Sequence, residues 1–436
     1  MSLALSLAAS SPLGLSCTSQ PPARTAADTP SVSSTGDPPA TQQSGPTYYA
    51  DVAPILGRYC VGCHSPGQLA PFPLTNYDEV MAYVDVVGAA VQSKEMPPFA
   101  PRTDGCRDLD DPHNMSPSDR QTLVDWATGS RQKGDAATAA PVVVPASPLG
   151  MPDATVDGGF EYLAAKQVTD DYRCFPIDPH FADTFPLIAA NVRSSTPSVV
   201  HHVMIYSQPA SDNAVVDALD AADPGPGYDC FGGVGFDDGI QLMVNAIGSA
   251  PRPFAPNASV PLPAGTRFVV QVHTNYANGY RPNRIALELW RAKTPMPDVP
   301  NLIELINNSF VIPAGAPSTK ATDTRKVASV GKLQTIFPHM HQLGKSFHAE
   351  VIHADGSREC LIDIPGTWEF HWQQTYQLAK PVDVKADDQV TITCEWDNND
   401  GHQPVVDDKR QTPVEVRYGD RASDEMCIGY LMITGP

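Results

Sequence analysis

Six side chains in the second half of the sequence are of types that hold a transition metal. His201 and His202 stand side by side in SVVHHVMIY, His273 in VVQVHTNY, and His339 and His341 in FPHMHQLGKSF. Met426 sits beside Cys427 in RASDEMCIGYLM. Imidazole suits copper, and a thioether selects Cu(I). One site of three histidines and another of two histidines with a methionine would hold two coppers of unequal softness, without a thiolate. His339 and His341, at i and i+2, face one side of a strand and make a natural chelating pair. Adjacent strand residues face opposite sides. His201 and His202 can therefore share an ion only where the strand bulges or ends, through different ring nitrogens.

A second constellation lies near the start, where Cys60-Val61-Gly62-Cys63-His64 reads CVGCH. A Cys-x-x-Cys alone serves a zinc half-site or a redox pair, but the histidine that follows makes it a haem c attachment sequence. The two thiols form thioethers and His64 becomes the proximal iron ligand. A methionine opposite His64 favours electron transfer and a raised potential. Met96, held in a rigid turn by Pro97 and Pro98, is the expected axial ligand. Met115 reads as a helix-entry residue packed on the core. The module resembles the small cytochromes with CxxCH, MPP and a later Trp that occur fused in exported bacterial oxidoreductases.

These residues need two kinds of scaffold. Around CVGCH the pattern is helical: a helix is predicted from Tyr77 to about Ser93, with Val80, Val84, Val87 and Val91 at helical spacing. Another begins at an N-cap Ser116 with Pro117 in its first turn and Asp119 at N3, and ends before Gly129. From residue 150 onward short runs rich in Val, Ile and Thr alternate with Pro, Gly, Asn and Asp, the texture of β-sandwiches. The expected fold is therefore multidomain, a small all-α cytochrome c module followed by two all-β jelly-roll-like sandwiches. Its divisions are a tether over 1–45, the cytochrome c domain over 46–133, a linker over 134–150, and sandwiches over 151–300 and 301–436.

Charged residues make up only 18%, against 44 Pro and 31 Gly, which fits many short strands joined by turns. A formal charge of −20 disfavours nucleic acid or an anionic membrane surface as partner. The start, MSLALSLAASSPLGLSC, resembles the apolar part of an export signal ending at a lipoprotein-like Cys17. Residues 18–45 are rich in Pro, Ser, Thr and Ala and read as a disordered tether. The expected location is the periplasm or cell envelope, with a lipid anchor on Cys17 in view. Setting aside Cys17, Cys60 and Cys63 leaves six cysteines, an even number that an exported protein joins as three disulfides, in any of fifteen ways.

The segments of residues 160–436 resemble, in order, those of the type II copper, ascorbate-dependent monooxygenases, represented by peptidylglycine α-hydroxylating monooxygenase and dopamine β-monooxygenase. The DEMC around Met426 and the His-x-His-x-x-Gly ending at Gly344 are the most specific matches. The resemblance implies two jelly-roll-like sandwiches with a solvent cleft between them. It assigns His201, His202 and His273 to an electron-transfer copper, and His339, His341 and Met426 to the copper that meets O2. It also implies the disulfides Cys174–Cys230 and Cys394–Cys427. That leaves Cys106 and Cys360 as a third pair, one that would tether the haem module to the second sandwich. Departures bear on the substrate. Phe337 replaces the arginine that clamps a substrate carboxylate in the amidating members, Ile428 replaces an asparagine, and Tyr430 is retained. Loss of a bidentate arginine argues against a C-terminal glycine peptide.

The functional expectation is a copper monooxygenase that hydroxylates a C–H bond of a small organic substrate with O2. The fused haem c relays electrons from an ascorbate-like reductant or a redox protein. A non-catalytic copper and haem electron-transfer protein is the alternative. The other histidines, His113, His180, His348, His353, His371 and His402, read as ordinary surface or core residues.

Overall fold

In the computed structural model the residues described are 45–139, 142, 149–165, 168, 170–231, 233–236, 239–245, 251–276, 279–294, 296–370, 372–406, 409–419, 421 and 423–435. Gly45–Pro436 forms one compact unit, and Met1–Ser44, with the export segment and most of the tether, lies outside the described residues. So do residues 140, 141 and 143–148 of the linker expected over 134–150.

The chain opens with α1 (Ala53–Tyr59), α2 (Tyr77–Ala82), α3 (Val84–Gln92) and α4 (Pro117–Thr128). Asn76 caps α2 by accepting from the Glu79 N–H, and Ser116 caps α4 by accepting from the Asp119 N–H, as the cap pattern predicts. The helix expected over 77–93 is broken at Tyr83, whose φ of −126° and ψ of 15° leave the helical region. Tyr83 turns out to stack on Phe72 at 4.0 Å. Val80, Val84, Val87 and Val91 are nonetheless all buried, in one cluster with Tyr48, Leu56, Leu123 and Trp126.

Strands follow. β1 (Ala154–Asp157), β2 (Asp170–Ile177), β3 (Phe185–Ser194) and β4 (Val200–Gln208) lead to α5 (Asn213–Ala222). Then come β5 (Tyr228–Asp229), β6 (Ile240–Asn245), β7 (Val260–Leu262), β8 (Arg267–Asn275) and β9 (Ile285–Arg291). They form two antiparallel sheets, in the orders β5-β2-β8-β4-β6 and β1-β9-β3-β7. Phe175, Val203 and Val270 of the first share a buried core with Leu187, Val192 and Leu287 of the second, so the two sheets stack. Gly227 serves the turn into β5. Its φ is +69°, and a Cβ there would lie 2.3 Å from the Cys174 carbonyl oxygen, beside the Cys174–Cys230 disulfide.

The remaining strands are β10 (Val299–Ile306), β11 (Val311–Ile312), β12 (Thr319–Lys326), β13 (Gly331–His339), β14 (Gly344–Ile352) and β15 (Arg358–Ile364). After them run β16 (Tyr376–Val384), β17 (Gln389–Trp396), β18 (Val405–Val406), β19 (Lys409–Arg410), β20 (Val416–Arg417) and β21 (Ile428–Gly435). The sheets β10-β21-β13-β16 and β12-β17-β14-β15 share a core of Leu333, Ile336 and Leu431 against Phe347, Val390 and Ile392. The Cys394–Cys427 disulfide joins the two sheets through that core.

The expected fold class is corrected at its N-terminal end. Strand outweighs helix among the described residues, with five α-helices of 6 to 12 residues, and no all-α cytochrome c module is evident among them. Helices this short are marginal alone. The chain between α3 and α4 is built into the β body instead. Cys106 is bonded to Cys360 in β15, and Leu109 bridges Leu378 in β16. The backbone N–H groups of Arg102, Arg107 and Asp110 donate to the carbonyls of Asp363, Cys360 and Gln377. Phe99, Ala100 and Leu109 pack on the core of the second pair of sheets.

Candidate metal centre

His202 of β4 lies opposite His273 of β8, and the β4–β8 register shifts between Val200 and His202. A regular strand would turn His201 to the far face; the extra residue at the shift brings it to the same side. The His201 Nδ1 lies 3.1 Å from the His202 Nδ1 and 3.1 Å from the His273 Nδ1. Ligand atoms of the three rings all fall within 4.8 Å of one another. The shift matches the expectation of a bulge. The use of different ring nitrogens does not hold, because all three rings present Nδ1.

The outer nitrogens explain why. His201 Nε2–H donates to the Phe370 carbonyl at 3.1 Å, and His273 Nε2–H donates to Asp170 Oδ1 at 2.9 Å. Each bond fixes the tautomer and turns the Nδ1 lone pair inward. Tyr172 stacks on His273 at 4.0 Å. Burial, then the neighbouring His273 and His201 rings, pushes His202 well below the ordinary histidine range, which leaves a neutral ring ready to ligate.

His339 ends β13, and His341 follows two residues later on the same side, with Met340 buried in the core between them. The two rings lie 5.1 Å apart. His339 Nδ1–H donates to Gln373 Oε1 at 2.6 Å, and His341 Nδ1–H donates to the Asp424 carbonyl at 3.1 Å, so both Nε2 atoms are left for a ligand role. Burial pushes His339 down to about 3 and His341 down to about 4. Met426 is buried and lines the same cleft. Its position is set from both sides. Cys427 is disulfide-bonded to Cys394, and the buried Glu425 accepts from the N–H groups of His341 (2.9 Å) and Leu343 (2.6 Å) and from Trp396 Nε1–H (2.8 Å). Burial pushes the Glu425 carboxyl up to about 8 against the pull of those donors.

His202, alone of the three-histidine group, lines one wall of a cleft of about 210 Å³ whose other wall carries His339, His341 and Met426. The His202 and His339 rings are 6.3 Å apart. The segment after β15 links the two groups. Phe370 receives His201 at its carbonyl and lies 4.6 Å from the His201 ring and 6.1 Å from the His341 ring. Gln373 Nε2–H donates to that same carbonyl while Gln373 Oε1 holds His339. Phe337, Ile428 and Tyr430, the positions that depart from or match the amidating pattern, all line the cleft. Sequence reasoning missed Asp170, Phe370 and Gln373, which no motif marks. Glu425 stands inside the DEMC motif and could have been found there.

In the CVGCH segment Cys60 and Cys63 are unbonded and partly buried. Burial pushes the Cys60 thiol up to about 12 and raises Cys63 too, which suits neutral sulfur rather than a reactive thiolate. His64 Nδ1–H donates to the Phe72 carbonyl at 2.9 Å, leaving Nε2 for an iron. Met96 is 38% exposed in the turn after α3, where Arg120 donates to its carbonyl. Met115 is buried in the helical core, as the packing reading expects.

Imidazole trios and imidazole–thioether sets of this kind are donor sets that suit copper. Residues 305–434 match the family model described as "Copper type II ascorbate-dependent monooxygenase, C-terminal domain". That match covers the second pair of sheets, less than half of the chain, and it supports a copper type II ascorbate-dependent monooxygenase domain there. No curated protein matches the chain. Among solved structures it is similar to the major capsid protein P2 of bacteriophage PM2, at 8% identity over 65% of this chain and 97% of that one, with a TM-score of 0.27. It is also similar to the VP2 subviral particle of infectious bursal disease virus, at 10% identity over 66% and 75% of the two chains, with a TM-score of 0.19. Likeness at that level carries no argument.

Proposed function

We propose that the protein hydroxylates a C–H bond of a small organic substrate with O2, using one copper on His201, His202 and His273 and another on His339, His341 and Met426. The observation that carries the reading is a cluster of His201, His202 and His273 whose His202 lines the same cleft as His339, His341 and Met426, in a chain whose residues 305–434 match a copper monooxygenase domain. When bound, the coppers supply the one-electron chemistry that O2 reduction needs. The chain's own groups do the positioning. The Phe370 carbonyl and Asp170 turn His201 and His273 inward, Gln373 and the Asp424 carbonyl turn His339 and His341, and Glu425 anchors the backbone around His341 and Met426. Phe337 in the arginine position makes a C-terminal glycine peptide a poor substrate.

In the same reading Cys60, Cys63 and His64 would hold a covalent haem c, with Met96 as the expected further ligand, and that group would supply one-electron transfer. Two unbonded thiols beside a histidine whose Nδ1 is already engaged support it. Three disulfides suit an oxidising compartment, in line with export to the periplasm or cell envelope. The test is metal and haem content of the exported protein, followed by O2 consumption and product formation over a panel of small organic compounds. Two coppers, one covalent haem and coupled turnover are expected. Copper held as Cu(I) with no O2 use on any compound would instead favour an electron-transfer protein. Met426→Ala should abolish hydroxylation, whereas Met96→Ala should still give one turnover when both coppers are reduced beforehand.

A further inference from the structure

The sheet β10-β21-β13 turns cross-strand rows of three side chains, two residues apart, toward the first pair of sheets. His339, Ile428 and Ile306 form one row, Phe337, Tyr430 and Glu304 the next, and Thr335, Met432 and Leu302 the third. The first two rows line the cleft that holds His202 and Met426. Glu304, exposed on the edge strand, hydrogen-bonds to Tyr430. The third row lines another cavity, of about 100 Å³, which shares Val244, Phe337 and Tyr430 with the cleft. Those three side chains are therefore a partition within one gap. The Phe337 and Tyr430 rings lie 6.1 Å apart, and Phe337 lies 6.2 Å from the His339 ring. Met432 packs against the core of the first pair of sheets, and Leu242 and Phe254 of that core line the second cavity. Its far end is closed by Asp110, Asp111 and His113, from the segment between α3 and α4, together with Arg252. Each charged side chain there is engaged. Arg252 donates to the Asp110 carbonyl at 2.7 Å and to Asp110 Oδ2 at 3.0 Å. Asp111 accepts from His113 Nδ1–H at 3.0 Å and from Gln374 Nε2–H at 2.6 Å.

We propose that this second cavity is a subsite for an apolar chain. The gap as a whole then takes an extended, neutral molecule, with one end at His339 and Met426 and the other past Phe337 and Tyr430. The inference rests on the proposed reading of the cleft as the substrate site, and it makes Leu302, Met432 and Phe254 specificity-determining residues. At roughly 30 Å³ for a water-sized group, the cavity takes about three or four carbons. Methylenes laid against Leu242, Phe254, Leu302 and Met432 gain in proportion to the apolar area removed from water. An ionic end group would lose its hydration and find Asp110, Asp111 and Arg252 already paired. Two two-residue steps separate the His339 row from the Leu302 row, about 14 Å along the strands. A molecule that fills both cavities is therefore a long chain rather than a compact ring. The same layout gives the N-terminal half a part in the site. The Cys106–Cys360 bond and the Leu109–Leu378 bridge staple the segment carrying Asp110, Asp111 and His113 over the end of the cavity.

The test uses straight-chain butanol, hexanol, octanol and decanol, with binding to the copper-loaded full chain measured by calorimetry. A chain that stays buried gains about 10- to 15-fold in affinity for each added pair of methylenes. In the parent that gain should continue through decanol, because octanol and decanol pass the partition. Leu302→Trp fills the second cavity from a partly exposed position on the edge strand, and the gain should stop near hexanol. Met432→Phe fills it from the neighbouring strand and should end the gain before decanol. Native circular dichroism and a copper content equal to the parent's qualify each variant. A parent series that levels at hexanol overturns the proposal, and so does an unbroken rise in both folded variants. Binding is read without turnover. A protein that gains through decanol yet consumes no O2 keeps the subsite and sinks the monooxygenase reading alone. One that hydroxylates small compounds but levels at hexanol sinks the subsite alone.

Discussion

Glu425 offers the sharpest test of how the second ligand set is held. Its carboxylate is fully buried and accepts from His341 N–H, Leu343 N–H and Trp396 Nε1–H at 2.9, 2.6 and 2.8 Å. Glu425→Ala leaves three donors in the interior with no acceptor, at roughly 1–3 kcal/mol each. Water entering the vacated volume can satisfy one or two of them. The net loss should then be about 3–5 kcal/mol, at the upper end for a single substitution. A sandwich of this size loses about 2–4 °C in Tm per kcal/mol, so a fall of roughly 10 °C is expected by calorimetry. Glu425→Gln keeps the volume but turns an NH2 toward at least one N–H, and should cost roughly a third as much. Copper content adds a second readout. With His341 and Met426 unanchored, the Cu(I) retained against a chelator should drop toward one per chain, even though Cys427 stays tied to Cys394. A Glu425→Ala protein that melts within about 2 °C of the parent and keeps both coppers would falsify the anchoring role.

Asp170→Asn weakens the acceptor for His273 Nε2–H, and copper affinity at the three-histidine site should fall about 10- to 100-fold in chelator competition with little change in Tm. Replacing Cys106 and Cys360 together by Ser opens a 254-residue closure; it should cost about 2–5 kcal/mol and expose the chain around Leu109 to protease first. Undiminished protease resistance there would count against a structural role for that bond. Hydrogen bonds from Arg173 hold the Asp223 carboxyl below its usual range. A carboxyl lowered in the folded protein stabilises above its unfolded value near 4 and loses that contribution as pH falls through the folded value. The difference in urea midpoint between the parent and Asp223→Asn should therefore be present at pH 6 and vanish toward pH 3.

Much of the ligand set is legible in the sequence because it obeys local periodicity. His339 and His341 at i and i+2 share a side on any strand, and the need for a bulge at His201–His202 follows from alternation alone. What orients the rings is not local. Asp170 is 103 residues from His273, and the Phe370 carbonyl is 169 residues from His201; such pairings depend on how sheets stack, which no short pattern encodes. The helices near CVGCH were legible from caps and valine spacing, except the break at Tyr83, where a stacking partner outweighs helical propensity. Their standing as an all-α module was not legible. The contacts that bind the following chain to β15 and β16 span more than 250 residues in sequence.

The two-residue rows on β10, β21 and β13 impose a parity rule on how this protein can change length. One residue inserted between Ile428 and Tyr430 would send Tyr430 and everything after it in β21 to the opposite face of its sheet. Glu304 would lose its partner and Tyr430 would leave the partition for the core. Two inserted residues would restore the facing but slide one wall by a full row, about 7 Å, and the span between the histidines and the second cavity would change with it. At the turn around Asp355 and Gly356, between β14 and β15, insertions of either parity leave the rows untouched. Variation in length among related chains should therefore collect in such turns and avoid 428–434, and where it does enter those strands it should come in pairs and alter the length of molecule the cleft accepts.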